Sequence, residues 1–273
     1  MSTGLDVEEK PGGEMTFLDH LEALRWHLIR SVSAILIIAI IAFINSRFVF
    51  AVLLGPKFEN FPTYRFFCWL SHKMLQDESL CMKDLNFGLI NISMSGQFTT
   101  DLKVAFMTGL VLAFPYILWE VWRFIKPALY DKERKHANGL VFWGSFLFMA
   151  GLCFGYFVVT PMSVFFFGNY QVDASVSNQI DLSSFIDLVV STTFGAGIVF
   201  ELPIVVYFLA KIGIVTAAFL KRSRKISYVV ILIIAAIITP PDVTSQIIVT
   251  IPLVILFEIS ILIAARIERA QNV

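Results

Sequence analysis

The chain has 273 residues, 57% of them hydrophobic and only 15% charged, with a mean hydropathy of +0.77. That apolar share excludes an ordinary soluble domain and identifies a membrane protein. Lys plus Arg and Asp plus Glu number 21 each, so net charge gives no argument for a nucleic-acid or acidic partner, and only the placement of charge informs.

Residues 1–16 lack the basic start and small-residue cleavage site of a secretory signal and read as a flexible polar tail. Apolar runs near 28–52, 102–125, 139–160, 185–211, 226–239 and 247–265 predict helices crossing a hydrocarbon core of about 30 Å. The expected fold is therefore all-α, with one six-helix transmembrane domain over 17–268 and a short tail over 269–273. Between the first two helices, residues 53–98 hold Pro56, Pro62, an aromatic cluster and the β-like stretch LINIS, and predict an ordered extracytoplasmic cap.

Cys68 and Cys81 lie in that cap. If the loop faces the oxidising side, a Cys68–Cys81 disulfide and two free thiols are both open readings. Cys153, in the third helix, reads as a small core residue. The fifth run has only 14 residues before its prolines and reads as one arm of a hairpin turned at Thr239-Pro240-Pro241-Asp242.

Fifteen Lys and Arg fall on the side of the termini, among them the run 221–225, and six on the other side, which places both termini in the cytoplasm. No phosphate-binding glycine loop, nucleophile elbow or zinc-binding His pair is present. The chain is thus not expected to be an enzyme, and neither a metal nor a cofactor is expected.

Carboxylates inside apolar runs are costly and mark function or a specific partner. Glu201 lies in GAGIVFELP, two residues before Pro203, whose ring bends the helix and frees the Val199 carbonyl; a protonated Glu201 is a possible donor to it. Two readings stay open for Glu201, a structural bond to a neighbouring helix and a polar docking spot for a partner. Glu258 raises the same question nearer the basic end, where pairing suffices. Asp101 and Lys103 read as inexpensive interfacial charges, and Glu133, between Lys132 and Arg134, as a solvated ion pair or a carboxylate offered to a cation.

The segments FLDHLEALRWHLIRS, FPYILWEVWRFIKPALYDKERK, FGAGIVFELP and TPPDVTSQ with IPLVILFEI resemble, in order and spacing, the signature segments of the TatC family, from about Phe17 to about Glu268. The resemblance implies a glove-shaped six-helix receptor of the twin-arginine translocase in the bacterial cytoplasmic (inner) membrane, driven by the proton motive force. It implies twin-arginine signal peptides of folded substrates as ligands, TatA-type and TatB-type single-span proteins as partners, and a homo-oligomer within the complex. By position it assigns Glu133 to the arginine pair, with Phe124 and Pro127 shaping that loop. It assigns Glu201 with Pro203 to the intramembrane face that partners meet, and Asp242 and Gln246 to the turn after TPPD.

The first motif departs from the family pattern H-L-x-E-L-R. Here His20-Leu21-Glu22-Ala23-Leu24-Arg25 keeps Arg25 at the arginine position but puts Ala23 at the glutamate position and the carboxylate at Glu22, about 100° around the helix. Either Glu22 meets the ligand from a different angle or Glu133 carries more of the binding. The rival reading from another class is a proton-coupled small-solute transporter with Glu201 as relay.

Overall fold

A computed structural model describes residues 17–74, 81, 87–125, 137–173, 175, 178–239 and 243–271. The long apolar runs become helices because a chain in hydrocarbon must satisfy its backbone N–H and C=O groups internally. Helix α1 (Phe17–Ile44) stops at Asn45, whose side-chain amide donates to the Ile41 carbonyl at 2.8 Å, and α2 (Ser46–Leu53) follows. A 3-10 turn, Gly55–Lys57, leads to α3 (Pro62–Met74), strand β1 (Gly88–Ile90) and α4 (Gly96–Ile125).

Helix α5 (Ala137–Phe154) runs through a π-helical turn, Gly155–Val159, into α6 (Thr160–Asn169). Strand β2 (Gln179–Asp181) precedes α7 (Leu182–Val199), and α8 (Leu202–Lys211), α9 (Ala217–Arg222), α10 (Arg224–Ile238) and α11 (Val243–Gln271) complete the order.

Among the described residues, 5 helical stretches are long and apolar enough to cross a membrane: Leu21–Ile44, Gly96–Ile125, Gly139–Asn169, Leu182–Lys211 and Ser245–Arg269. The fifth predicted run forms α10, a helix of 15 residues and so roughly 22 Å long, short of a hydrocarbon core of about 30 Å. The second and third spans are longer than their apolar runs suggest, because Gly96–Asp101 and Pro161–Asn169 extend the helices into the cap. The all-α expectation needs one correction. Strands β1 and β2 pair in parallel with Leu89 opposite Ile180, joining two connections that sequence reading treats separately.

Helix α1 lies antiparallel along α4. Phe43 meets Phe98 edge-on at 6.4 Å at the cap end, and midway the backbones approach closely at Gly109. A Cβ there would stand 2.6 Å from the Ile35 carbonyl oxygen and 2.9 Å from Ala39. Helix α5 packs on α7, and α8 packs on α11.

One apolar core sits under the cap, built from Phe61, Tyr64, Phe87, Val104, Phe185, Ile186 and Val189; the other joins α8 to α11 through Ala210, Leu220, Ile231, Leu253, Phe257 and Ile261. The cap grips the third span at its π turn, where widened backbone geometry leaves carbonyls accessible. Thr63 donates to the Phe157 carbonyl, and the buried Tyr64 hydroxyl reaches the carbonyls of Pro56 (2.8 Å) and Pro161 (3.1 Å). Burial pushes the Tyr64 phenol well above its ordinary pKa, so it stays a donor.

Cys68, on α3, is disulfide-bonded to Cys81. Cys153 is exposed on α5 rather than in the core, because a small apolar side chain is as well accommodated by lipid as by protein. Replacement Gly109→Val is expected to destabilise the folded protein by about 1–3 kcal/mol through overpacking. Thermal unfolding in detergent measures this, and an unchanged midpoint would show that α1 does not depend on that approach.

Candidate functional site

Several ionisable side chains on the spans are held by a partner on another helical segment. Lys103 on α4 donates to both carboxylate oxygens of Asp187 on α7, at 2.7 and 3.0 Å. Glu258 on α11 accepts from Arg224 at 2.6 Å and from the Tyr228 hydroxyl at 2.7 Å, which fastens the start of α10 to α11. Glu268 accepts from the Ala217 backbone N–H at 2.6 Å and so holds α9.

Among the described residues the least exposed carboxylate is Glu120 on α4, only 1% exposed. Its Oε2 pairs with Nδ1 of His27 on α1, and its Oε1 accepts from the Tyr116 hydroxyl at 3.0 Å. The His27 ring also meets Phe124 edge-on at 5.9 Å. Sequence reading missed this cluster. Glu120 carries the same signal as Glu201, an acid inside an apolar run, but its partner lies 93 residues away.

Glu201 occupies the turn between α7 and α8. Pro203, buried in the first turn of α8, supplies no N–H, and the chain breaks at Phe200–Glu201 instead of continuing as one helix. The carboxyl is turned toward α5 and not back to the Val199 carbonyl, because Gly144 leaves room for it. A Cβ at Gly144 would stand 3.3 Å from Oε2 and 3.7 Å from Oε1. Oε1 is buried without a hydrogen-bond partner among the described residues. Asp101 shares that property, but at the first turns of α4 beside the cap.

Glu22 is exposed on α1, and Arg25 is exposed with its guanidinium 5.6 Å from the Trp26 ring centre. Phe124 is half-buried in the last turn of α4, so it joins Glu22 and Arg25 at the same end of the bundle. Pro127 and Glu133 fall in 126–136, and Asp242 in 240–242, outside the described residues. Gln246 on α11 donates a long 3.5 Å bond to the Leu232 carbonyl of α10, well away from Glu22. Cys68, His72 and Cys81 lie close enough to share a metal ion, but both sulfurs are already joined to each other.

The sequence and the fold both have counterparts among known proteins. A family model described as Sec-independent protein translocase protein (TatC) matches residues 19–252. The chain belongs to the TatC family. A TatC protein of Blattabacterium sp. subsp. Periplaneta americana is 39% identical over 94% of this chain and 98% of its own length. A TatC protein of Carboxydothermus hydrogenoformans is 36% identical over 94% of this chain and 95% of its own.

Two solved structures described as the twin arginine translocase receptor TatC superpose with TM-scores of 0.67 and 0.70, at 33% and 34% identity. They cover 90% and 89% of this chain and 97% and 98% of their own. This TatC-family chain is therefore a multi-pass membrane protein and a component of a protein translocase.

Because Glu120 is bonded through both oxygens whereas Glu201 has a bare one, Glu120→Ala is expected to cost more stability than Glu201→Ala, by about 1.5–3 kcal/mol. Thermal unfolding of the two variants in detergent measures the difference, and equal midpoints would show that the His27–Glu120 pair contributes nothing net.

Proposed function

We propose that this protein is the signal-peptide receptor of a twin-arginine translocase in the bacterial cytoplasmic membrane, carrying folded proteins across with the proton motive force. The observation that carries this reading is the near-complete match, in sequence and in fold, to structures described as twin arginine translocase receptors. Both termini face the cytoplasm, and α10 crosses as the fifth of six spans. Its shortfall of about 8 Å is taken up by local thinning of the bilayer and by Arg224 and Lys225 reaching to the interface.

Recognition starts at the end where α1 and α4 present Glu22, Arg25 and Phe124. A guanidinium presents paired N–H donors that match a carboxylate, so an arginine pair reads two carboxylates better than a lysine pair does. Glu133 takes the main share, because Ala23 removes the carboxylate that the family motif places on α1. Pro127 and Phe124 shape the loop, and Glu22 contributes from its rotated position.

The apolar part of the signal then packs against the spans, where an apolar recess of about 260 Å³ lies between α4, α5 and α7, lined in part by Met107, Val111, Leu152 and Phe194. Glu201, with Pro203 and the Gln246 and Asp242 region, forms the intramembrane face for TatA-type and TatB-type single-span partners within an oligomeric complex. A buried carboxyl with one oxygen unused gains a hydrogen bond when a partner helix supplies a donor.

Pull-down of the purified protein with a twin-arginine peptide, against a twin-lysine control, tests the reading. Selective retention of the arginine form is expected, with Glu133→Ala weakening it by roughly tenfold or more and Glu22→Ala by less. Equal retention by wild type and the Glu133 variant would overturn the assignment.

A further inference from the structure

We propose that His27 and Glu120 form a positioning clamp for signal-peptide capture, setting the rotation of α1 against α4. This proposal rests on the receptor reading above. Glu120 is 1% exposed and both of its oxygens are occupied, so it cannot itself meet an incoming guanidinium. Its role is exercised through His27. The histidine joins Glu120 by Nδ1 and leans its ring on Phe124, so one side chain of α1 is held by two positions of α4 one turn apart.

Direction follows from helix geometry. Glu22 lies five residues before His27 and therefore stands about 140° around α1 from it. With His27 fixed against α4, Glu22 is held on the exposed face; were α1 free to roll, that carboxylate would sweep away from the loop that begins after Phe124. The clamp acts at the capture end of this helix pair, whereas the close approach at Gly109 lies midway along it and the Phe43–Phe98 contact lies at the cap end. Tyr116, partly exposed at 38%, completes the cluster from the adjacent turn of α4.

The test is the affinity of the full-length protein in detergent for a fluorescent twin-arginine peptide, with a twin-lysine peptide as control. His27→Ala and Glu120→Gln are each expected to weaken binding about tenfold. The exchanged variant His27→Glu with Glu120→His keeps the pair but reverses it, and is expected to return to within about threefold of wild type, a rescue that separate structural roles would not give. Tyr116→Phe, which removes only an accessible hydroxyl, is expected to weaken binding about threefold and serves if the exchanged protein does not fold.

Wild-type binding that fails to distinguish arginine from lysine would overturn the receptor reading and the clamp together. If wild type discriminates while the single variants bind as tightly as wild type, or if a folded exchanged variant binds no better than the singles, the clamp alone is overturned. Unchanged binding by Tyr116→Phe, where the exchanged variant cannot be folded, overturns it as well.

Discussion

A charged or polar atom in hydrocarbon must have a partner, because leaving it bare costs on the order of several kcal/mol. The architecture follows that constraint closely. Asp187 is matched by Lys103, Glu258 by Arg224 and Tyr228, Glu268 by the Ala217 amide, and Glu120 by His27 and Tyr116. Apart from the Tyr116–Glu120 bond, which lies within α4, each of these contacts joins separate helical segments, so the same side chains also set how α1, α4, α7, α9, α10 and α11 stand relative to one another. The pairs need not add much net stability to do this, since a paired buried charge mainly avoids the penalty of an unpaired one.

Glu201 stands apart within the bundle. It lies where Pro203 breaks the fourth span, over a glycine on α5, with one oxygen buried and unbonded. Its buried Oε1 leaves one interaction incomplete, and the proposed docking of a single-span partner would use it. At the end proposed for signal capture the logic is opposite: the buried His27–Glu120 pair is satisfied and held, while Glu22 and Arg25 are exposed.

Much of the fold was legible from hydropathy, since runs of apolar residues long enough to span become helices by backbone necessity. Glu201 and Pro203 were legible for the same reason: an acid and a proline are conspicuous in an apolar run. The ends of the runs were less so, because Gly96–Asp101 and Pro161–Asn169 continue the helices beyond the apolar runs that the sequence marks. The π turn at Gly155–Val159 and the pairing of Gly88–Ile90 with Gln179–Asp181 depend on neighbours remote in sequence, which no local pattern reports. His27 shows the limit best, since one histidine among four scattered ones acquires a role only when the antiparallel packing of α1 on α4 brings Glu120 to it.

The most direct test of Glu201 as the proposed partner-facing carboxylate is chemical. A hydrophobic carbodiimide reacts with protonated carboxyls within a membrane, and mass spectrometry locates the adduct. In the protein reconstituted alone, Glu201 should be modified in preference to Glu120 and Glu258, and adding the TatA-type and TatB-type partners should shield it. Modification of Glu201 to the same extent with and without partners would contradict the account.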